Sequence, residues 1–133
     1  MTDRKAIKDL RPEIPAIVAS EDYSSAEQFQ NECLRPILKF QHELLVAVFQ
    51  HYIGLRKNKY YELTAPKKQE YIEHSIRQDR QFRNLLIGII LGHFTREEYA
   101  DYLADEKELR RRLTDLLVQR LQSVSFDDGS SNS

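Results

Sequence analysis

The chain has 133 residues and a mass of 15.7 kDa, the length of one domain, and folding should bury roughly two-thirds of its unfolded surface in a single core. With 41% hydrophobic residues, 31% charged residues and four glycines, it does not fit extended disorder, collagen-like repeats or low-complexity assembly. Its 20 basic and 21 acidic residues divide evenly about Pro66, 9 against 9 and then 11 against 12, so neither half reads as a polyanion binder and nucleic acid is not an expected partner.

The first ten residues carry charges where a secretory signal needs an apolar stretch, so export by that route is not expected. Residues 1–23 hold Ile7, Leu10, Ile14, Ile17 and Val18, interrupted by Pro12 and Pro15. That pattern predicts one short helix and then an irregular apolar strap lying across the rest of the fold.

Ser24 and Glu27 have the spacing of a capping box, so a helix should begin there. Two apolar stripes follow at helical steps. One runs through Phe29, Cys33, Ile37, Leu44, Val48, Tyr52 and Leu55; the other holds Leu34, Leu38, Leu45, Phe49 and Ile53. So wide an apolar face should touch two or more neighbours. Pro36 removes one helical hydrogen bond and crowds the preceding turn, which predicts a kink or break near residues 32–36.

Arg56 to Leu63 reads as a connection, with one ring of Tyr60 and Tyr61 closing the end of the bundle. Thr64 and Pro66 then open a helix whose stripe is Ile72, Ile76, Asp79, Arg83, Leu86 and Ile90. The apolar run Leu85 to Leu91 is far shorter than the roughly 20 residues of a membrane span, and the register entering it favours helix over strand. Gly88 and Gly92 share one face, where they should admit a close neighbouring helix. Thr95 with Glu98, and Asp105 with Glu108, give two further capping boxes. The last helical stretch carries Tyr99, Tyr102, Leu103, Leu109, Leu113, Leu116, Leu117, Leu121 and Val124, with a bend expected near Asp105. Residues 125–133 offer almost nothing to bury and should form a disordered tail. The expected architecture is all-α: an up-and-down bundle of about four main helices over 24–124, with the N-terminal strap and the C-terminal tail outside it.

Few residues invite a chemical reading. The lone Cys33 excludes an intrachain disulfide and a multi-cysteine zinc site, and a reducing cytoplasm is the simplest home. It shares an apolar stripe, so it reads as core and not as a nucleophile. Of the four histidines, His42 falls among Leu38, Leu45 and Phe49, His93 follows Gly92 at a helix end, and His51 should be partly covered. His74 shares a face with Arg77 and Gln81 and should be solvated. Helical bundles build di-metal sites from Glu-x-x-His units, which this chain lacks; neither a metal nor another cofactor is expected. Asp79 and Arg83 interrupt an apolar stripe at a spacing that favours an ion pair, either at the bundle rim or facing a homodimer neighbour, or else as part of a polar cluster with Gln78, Arg80 and Asn84 that anchors an anionic ligand or a partner chain. Arg110, Arg111 and Arg112 spread over about 200° of helical arc beside acidic neighbours and read as a solvated face. Gly-rich phosphate loops, nucleophile elbows and zinc-protease motifs are missing from the sequence.

The segments 34–41, 71–84 and 88–95 are similar to a small family of uncharacterised all-helical bacterial proteins, a resemblance covering roughly residues 25–123. Some members carry the name glyoxalase. Metal-dependent glyoxalases are built from paired strand-rich modules whose sheets hold His, Gln and Glu ligands, and this helical pattern departs from that plan along its whole length. The resemblance therefore implies no catalytic residue here. The sequence favours a helical interaction or regulatory protein, self-associating as a homodimer and open to a protein partner. The alternative is a small-molecule-binding or metal-dependent enzyme using His42, His93, Asp79 and Arg83 in the bundle core.

Overall fold

A computed structural model describes residues 4–12 and 24–126 of the chain. The apolar strap expected over 13–23 and residues 127–133 of the expected tail lie outside them. Every regular element among the described residues is helical: α1 (Ser25–Phe29), α2 (Arg35–Phe40), α3 (His42–Leu55), α4 (Ala65–Gln78), α5 (Arg80–Leu91), α6 (Arg96–Ala104) and α7 (Glu106–Gln122). None is long and apolar enough to cross a membrane.

The long helices expected from periodicity are interrupted at points set by single residues. Ser24 caps α1, its hydroxyl accepting the Glu27 N–H at 3.0 Å, which is one half of the expected box. The expected distortion before Pro36 is a wide π turn over Gln30–Leu34, in which the Arg35 N–H reaches back to the Gln30 carbonyl. One extra residue in the turn absorbs the bond and the space that proline denies the regular ladder. A second break falls at Gln41, whose ψ of 6° leaves helical geometry between α2 and α3. Beyond it the chain turns the second stripe inward: Leu45, Phe49 and Ile53 are buried, whereas Leu44 and Leu55 of the first stripe face solvent.

After α3, a 3-10 turn at Lys59–Glu62 leads into α4. The helix predicted to run through Asp79 is in fact two, because Asp79 is extended (ψ 95°) and serves as the N-cap of α5. Gly88 and Gly92 do not admit a neighbour: a Cβ at Gly88 would meet open space, and one at Gly92 would meet α5's own Gly88 carbonyl. The Thr95–Glu98 box forms in both directions. The Asp105–Glu108 box does not, since Asp105 has ψ 43° and makes no side-chain cap, while Glu108 is taken by Arg111 and Arg112.

Helix α7 packs against α4, α5, α6 and the π turn, burying Leu109, Leu113, Leu117 and Leu121 among Leu34, Ile72, Ile76 and Leu86. At one end of this core, Phe49 is ringed by Tyr52, Tyr60, Tyr71, Phe82 and Phe126 with centroids 5.0–6.4 Å apart. Tyr60 closes that end, as its position in the connection suggested. Phe126 corrects the expectation that nothing beyond residue 124 is buried, for only 9% of it is exposed.

The N-terminal segment forms a 3-10 turn at Arg4–Leu10 and is held mainly by two arginines. Arg4 donates to the carbonyls of Phe94 and Gly92, each at 2.8 Å. Arg11 donates to the His93 carbonyl at 2.6 Å and to both carboxylate oxygens of Glu98 at 2.7 Å. The guanidiniums thus satisfy carbonyls just past α5, a helix end that leaves acceptors unpaired and carries partial negative charge.

Candidate functional site

The elbow between α4 and α5 brings Asp79 to the end of α3. Its carboxylate accepts the Phe82 N–H at 3.1 Å, the Tyr52 hydroxyl at 3.2 Å and Arg56 at 3.0 Å. The Phe82 amide, with help from Tyr52 and Arg56, holds the Asp79 carboxyl below the usual carboxylate range. Arg83 does not pair with it. Its guanidinium instead donates to the Arg77 carbonyl at 2.6 Å, near the end of α4. The two residues that looked like one ion pair serve separate helix ends, an acid at the start of α5 and a base at the finish of α4, each complementing a helix dipole.

Cations gather around this elbow. The Arg56 guanidinium lies 3.5 Å from the Tyr52 ring centre, and the Lys68 ammonium 5.4 Å from that of Tyr60. Lys57 and Asn58 both adopt left-handed backbone (φ 62° and 58°), which turns the connection sharply before Lys59. A groove of 490 Å³ runs past Tyr71, His74, Asp79 and Arg80, and a recess of 390 Å³ lined by Leu55, Lys57 and Lys59 shares its Arg56 and Tyr71 walls. Leu55 is 69% exposed within this basic end. The Tyr71 hydroxyl is buried without a hydrogen-bond partner among the described residues.

A second groove, of 640 Å³, lies where α1 and the π turn meet α6. Ala26, Phe29, Cys33 and Leu109 give it an apolar lining; Glu32, Asp101 and Asp105 supply carboxylates, with Lys8 the one cation among the described lining residues. Its deepest acid, Glu98, is already engaged. Burial pushes its pKa up, but hydrogen bonds from Arg11, the Thr95 N–H and the Cys33 thiol outweigh burial and bring it down to about 2. Burial and the neighbouring Glu98 charge push the Cys33 thiol far up, consistent with a core residue and not a nucleophile.

The two predicted histidines have different neighbours. His42 is half-buried, its Nδ1 3.1 Å from Arg120. His93 is 4% exposed, its ring 4.8 Å from that of Phe40 and bonded to the Ile7 backbone. Burial, followed by the Arg11 charge, lowers its pKa. His74 is exposed as expected, and so is His51, which was expected to be partly covered. No three histidine, cysteine or carboxylate side chains among the described residues are placed to hold a metal ion. Arg111 and Arg112 are paired with Glu108, and Arg110 with Asn84, in keeping with a solvated face.

Sequence reasoning passed over the basic end and the Arg11–Glu98 clamp. The run Arg56-Lys-Asn-Lys59, with no acid inside it, was the available signal for the former; the latter joins residues 87 positions apart and leaves no local trace. No protein-family model, curated protein or solved structure matches the chain.

Proposed function

We propose that this is a small helical interaction or regulatory protein that acts by self-association, the basic end of one copy seating in the acidic groove of another. The observation that carries the reading is the complementarity of two surfaces on one nearly neutral chain. One presents an exposed leucine, Leu55, among Arg56, Lys57 and Lys59; the other is an apolar hollow bearing Glu32, Asp101 and Asp105. With a net charge of −1, attraction between copies comes from the distribution of charge and not from its sum. Made reciprocally, two such contacts close a two-fold homodimer. Further exposed side chains, among them Leu44, Leu85, Tyr99 and Leu103, add apolar surface for assembly. The lone buried thiol suits a reducing cytoplasm.

Native mass spectrometry and light scattering on the full chain test this reading. A dimer is expected at low salt, loosening as ionic strength rises toward 1 M, where the screening length falls to about 3 Å. Lys59→Glu with Arg56→Glu should give monomer, and Asp101→Lys with Glu32→Lys in a second population should restore mixed pairing. A monodisperse monomer at high concentration and low salt, or a dimer indifferent to both salt and charge reversal, defeats the reading. The unpartnered Tyr71 hydroxyl favours a second one, a small polar ligand bound in the elbow groove. Saturable chemical-shift changes confined to the elbow on adding a metabolite mixture to the monomer would support that alternative.

A further inference from the structure

We propose that the segment Arg4–Leu10, with Arg11, is a pH-sensitive latch: protonation of His93 in a mildly acidic medium releases it from the end of α5 while the helical core stays folded. The inference stands apart from self-association and needs no second copy. No side chain of Arg4–Leu10 is buried, so apolar packing contributes little to its docking. Arg4 and Arg11 hold it through the carbonyls of Gly92, His93 and Phe94 and the carboxylate of Glu98. A segment tied by so few buried contacts belongs to the part of a fold that opens locally, well below the cost of global unfolding.

His93 lies at the centre of those contacts. Its own carbonyl accepts from Arg11 at 2.6 Å, the carbonyls on either side of it accept from Arg4, and the residue is buried with its ring beside Phe40. The ring's Nε2 is buried with no hydrogen-bond partner among the described residues, so the bond to the Ile7 backbone falls to Nδ1, which donates. Protonation therefore takes place at Nε2. The new N–H meets no described acceptor there, and the new charge joins those of Arg11 and Arg4 against the carboxylate of Glu98. From the π turn the neutral Cys33 thiol bonds to Glu98, with Lys8 of the segment acting on it, and from α2 the Phe40 ring brings no charge.

Release returns the ring to water, away from both guanidiniums. The released form thus binds a proton more readily than the docked form, and acid favours release. A released histidine at its ordinary 6.5 and a docked one that stays neutral set the ceiling, about tenfold more release at pH 5.5 than at pH 7.5. The Arg11–Glu98 pair does not change charge in this range, since Glu98 titrates at about 2. Release also carries Lys8 away from the 640 Å³ groove, whose described lining then presents Glu32, Asp101 and Asp105 with no cation.

The test is amide hydrogen exchange on the isotopically labelled full chain at pH 7.5 and 5.5, expressed as protection factors so that the intrinsic pH dependence of exchange cancels. The reporter is the Arg11 amide, which donates to the Lys8 carbonyl at 3.1 Å. Its protection should fall several-fold, up to about tenfold, at pH 5.5, while amides of α4 and α7 keep theirs. His93→Gln should remove the fall, and His42→Gln, which alters a histidine bonded to Arg120 on α7, should retain it. Should His93→Gln fail to fold, the parent still decides: the midpoint of the fall in protection must coincide with that of the His93 ring signals, followed in the same samples. Equal Arg11 protection at the two pH values, a fall that persists in His93→Gln, a midpoint that follows another histidine, or a parallel loss in α7 would overturn the proposal.

Discussion

Replacing Glu98 by Gln should cost about 3 kcal/mol of folding stability, and two routes to that figure agree. The side chains of Arg11 and Glu98 are 5% and 11% exposed, and removing one partner of a buried ion pair strands the other at a cost of roughly 3–5 kcal/mol. Separately, a carboxyl brought from its ordinary 4.5 to about 2 on folding contributes about 3 kcal/mol at neutral pH, at 1.36 kcal/mol per unit. Gln can still accept from the Thr95 N–H, so the substitution isolates the charge from the cap. Urea unfolding and thermal melts of the parent, Glu98→Gln, Arg11→Met and the double variant measure it. Each single variant should melt on the order of 10 °C lower. The double variant should recover about 2 kcal/mol relative to the sum of the singles. Because the folded pKa is depressed, the contribution is complete above pH 4.5 and fades as pH falls toward 2, in the parent but not in Glu98→Gln. Singles within about 0.5 kcal/mol of the parent, with no coupling between them, would refute a buried clamp.

His93 should make its own mark at milder pH. Its folded pKa lies below 6.5, so the unfolded chain binds a proton first and stability declines as pH drops below 6.5; urea midpoints at pH 7.5 and 5.5 should differ less in His93→Gln than in the parent. Phe126→Ala removes a ring packed 5.0 Å from Phe49 and should cost about 3 kcal/mol by chemical denaturation, an effect that truncation after Val124 should reproduce. Lys57→Gly should stabilise by about 0.5 kcal/mol in the same assay, because glycine relieves the left-handed backbone, whereas Asn58→Gly should change little since asparagine tolerates that geometry.

What was legible in the sequence was local. The caps at Ser24 and Thr95 depend on residues three apart, the distortion before Pro36 on a missing N–H, and the core assignment of Cys33 on helical spacing. Errors arose where one side chain serves two elements. Asp79 kept the period of its stripe while ending one helix and starting the next, so periodicity alone joined α4 to α5. Asp105 had capping-box spacing but not the backbone angles to use it. Of the candidate site residues, Asp79 does sit in a groove, yet its partners are Tyr52 and Arg56, 27 and 23 positions away, which no pattern of neighbours encodes. Arg83, His42 and His93 each answer to a different part of the fold, and the charged surfaces emerge only when α1, α3 and α6 are placed in space.

The arginine-held segment at residues 4–12 bears on the order of assembly during synthesis. Arg4 and Arg11 are made before the carbonyls and carboxylate that receive them, which belong to residues 92–98, more than 80 positions later. At 5–20 residues per second, these arginines stay without their final partners for several seconds while α1 to α5 are made. The earliest part of the described chain is therefore among the last to dock. A nascent chain that stops short of Glu98 lacks the carboxylate that clamps Arg11, so this segment is held in full only after α6 has begun.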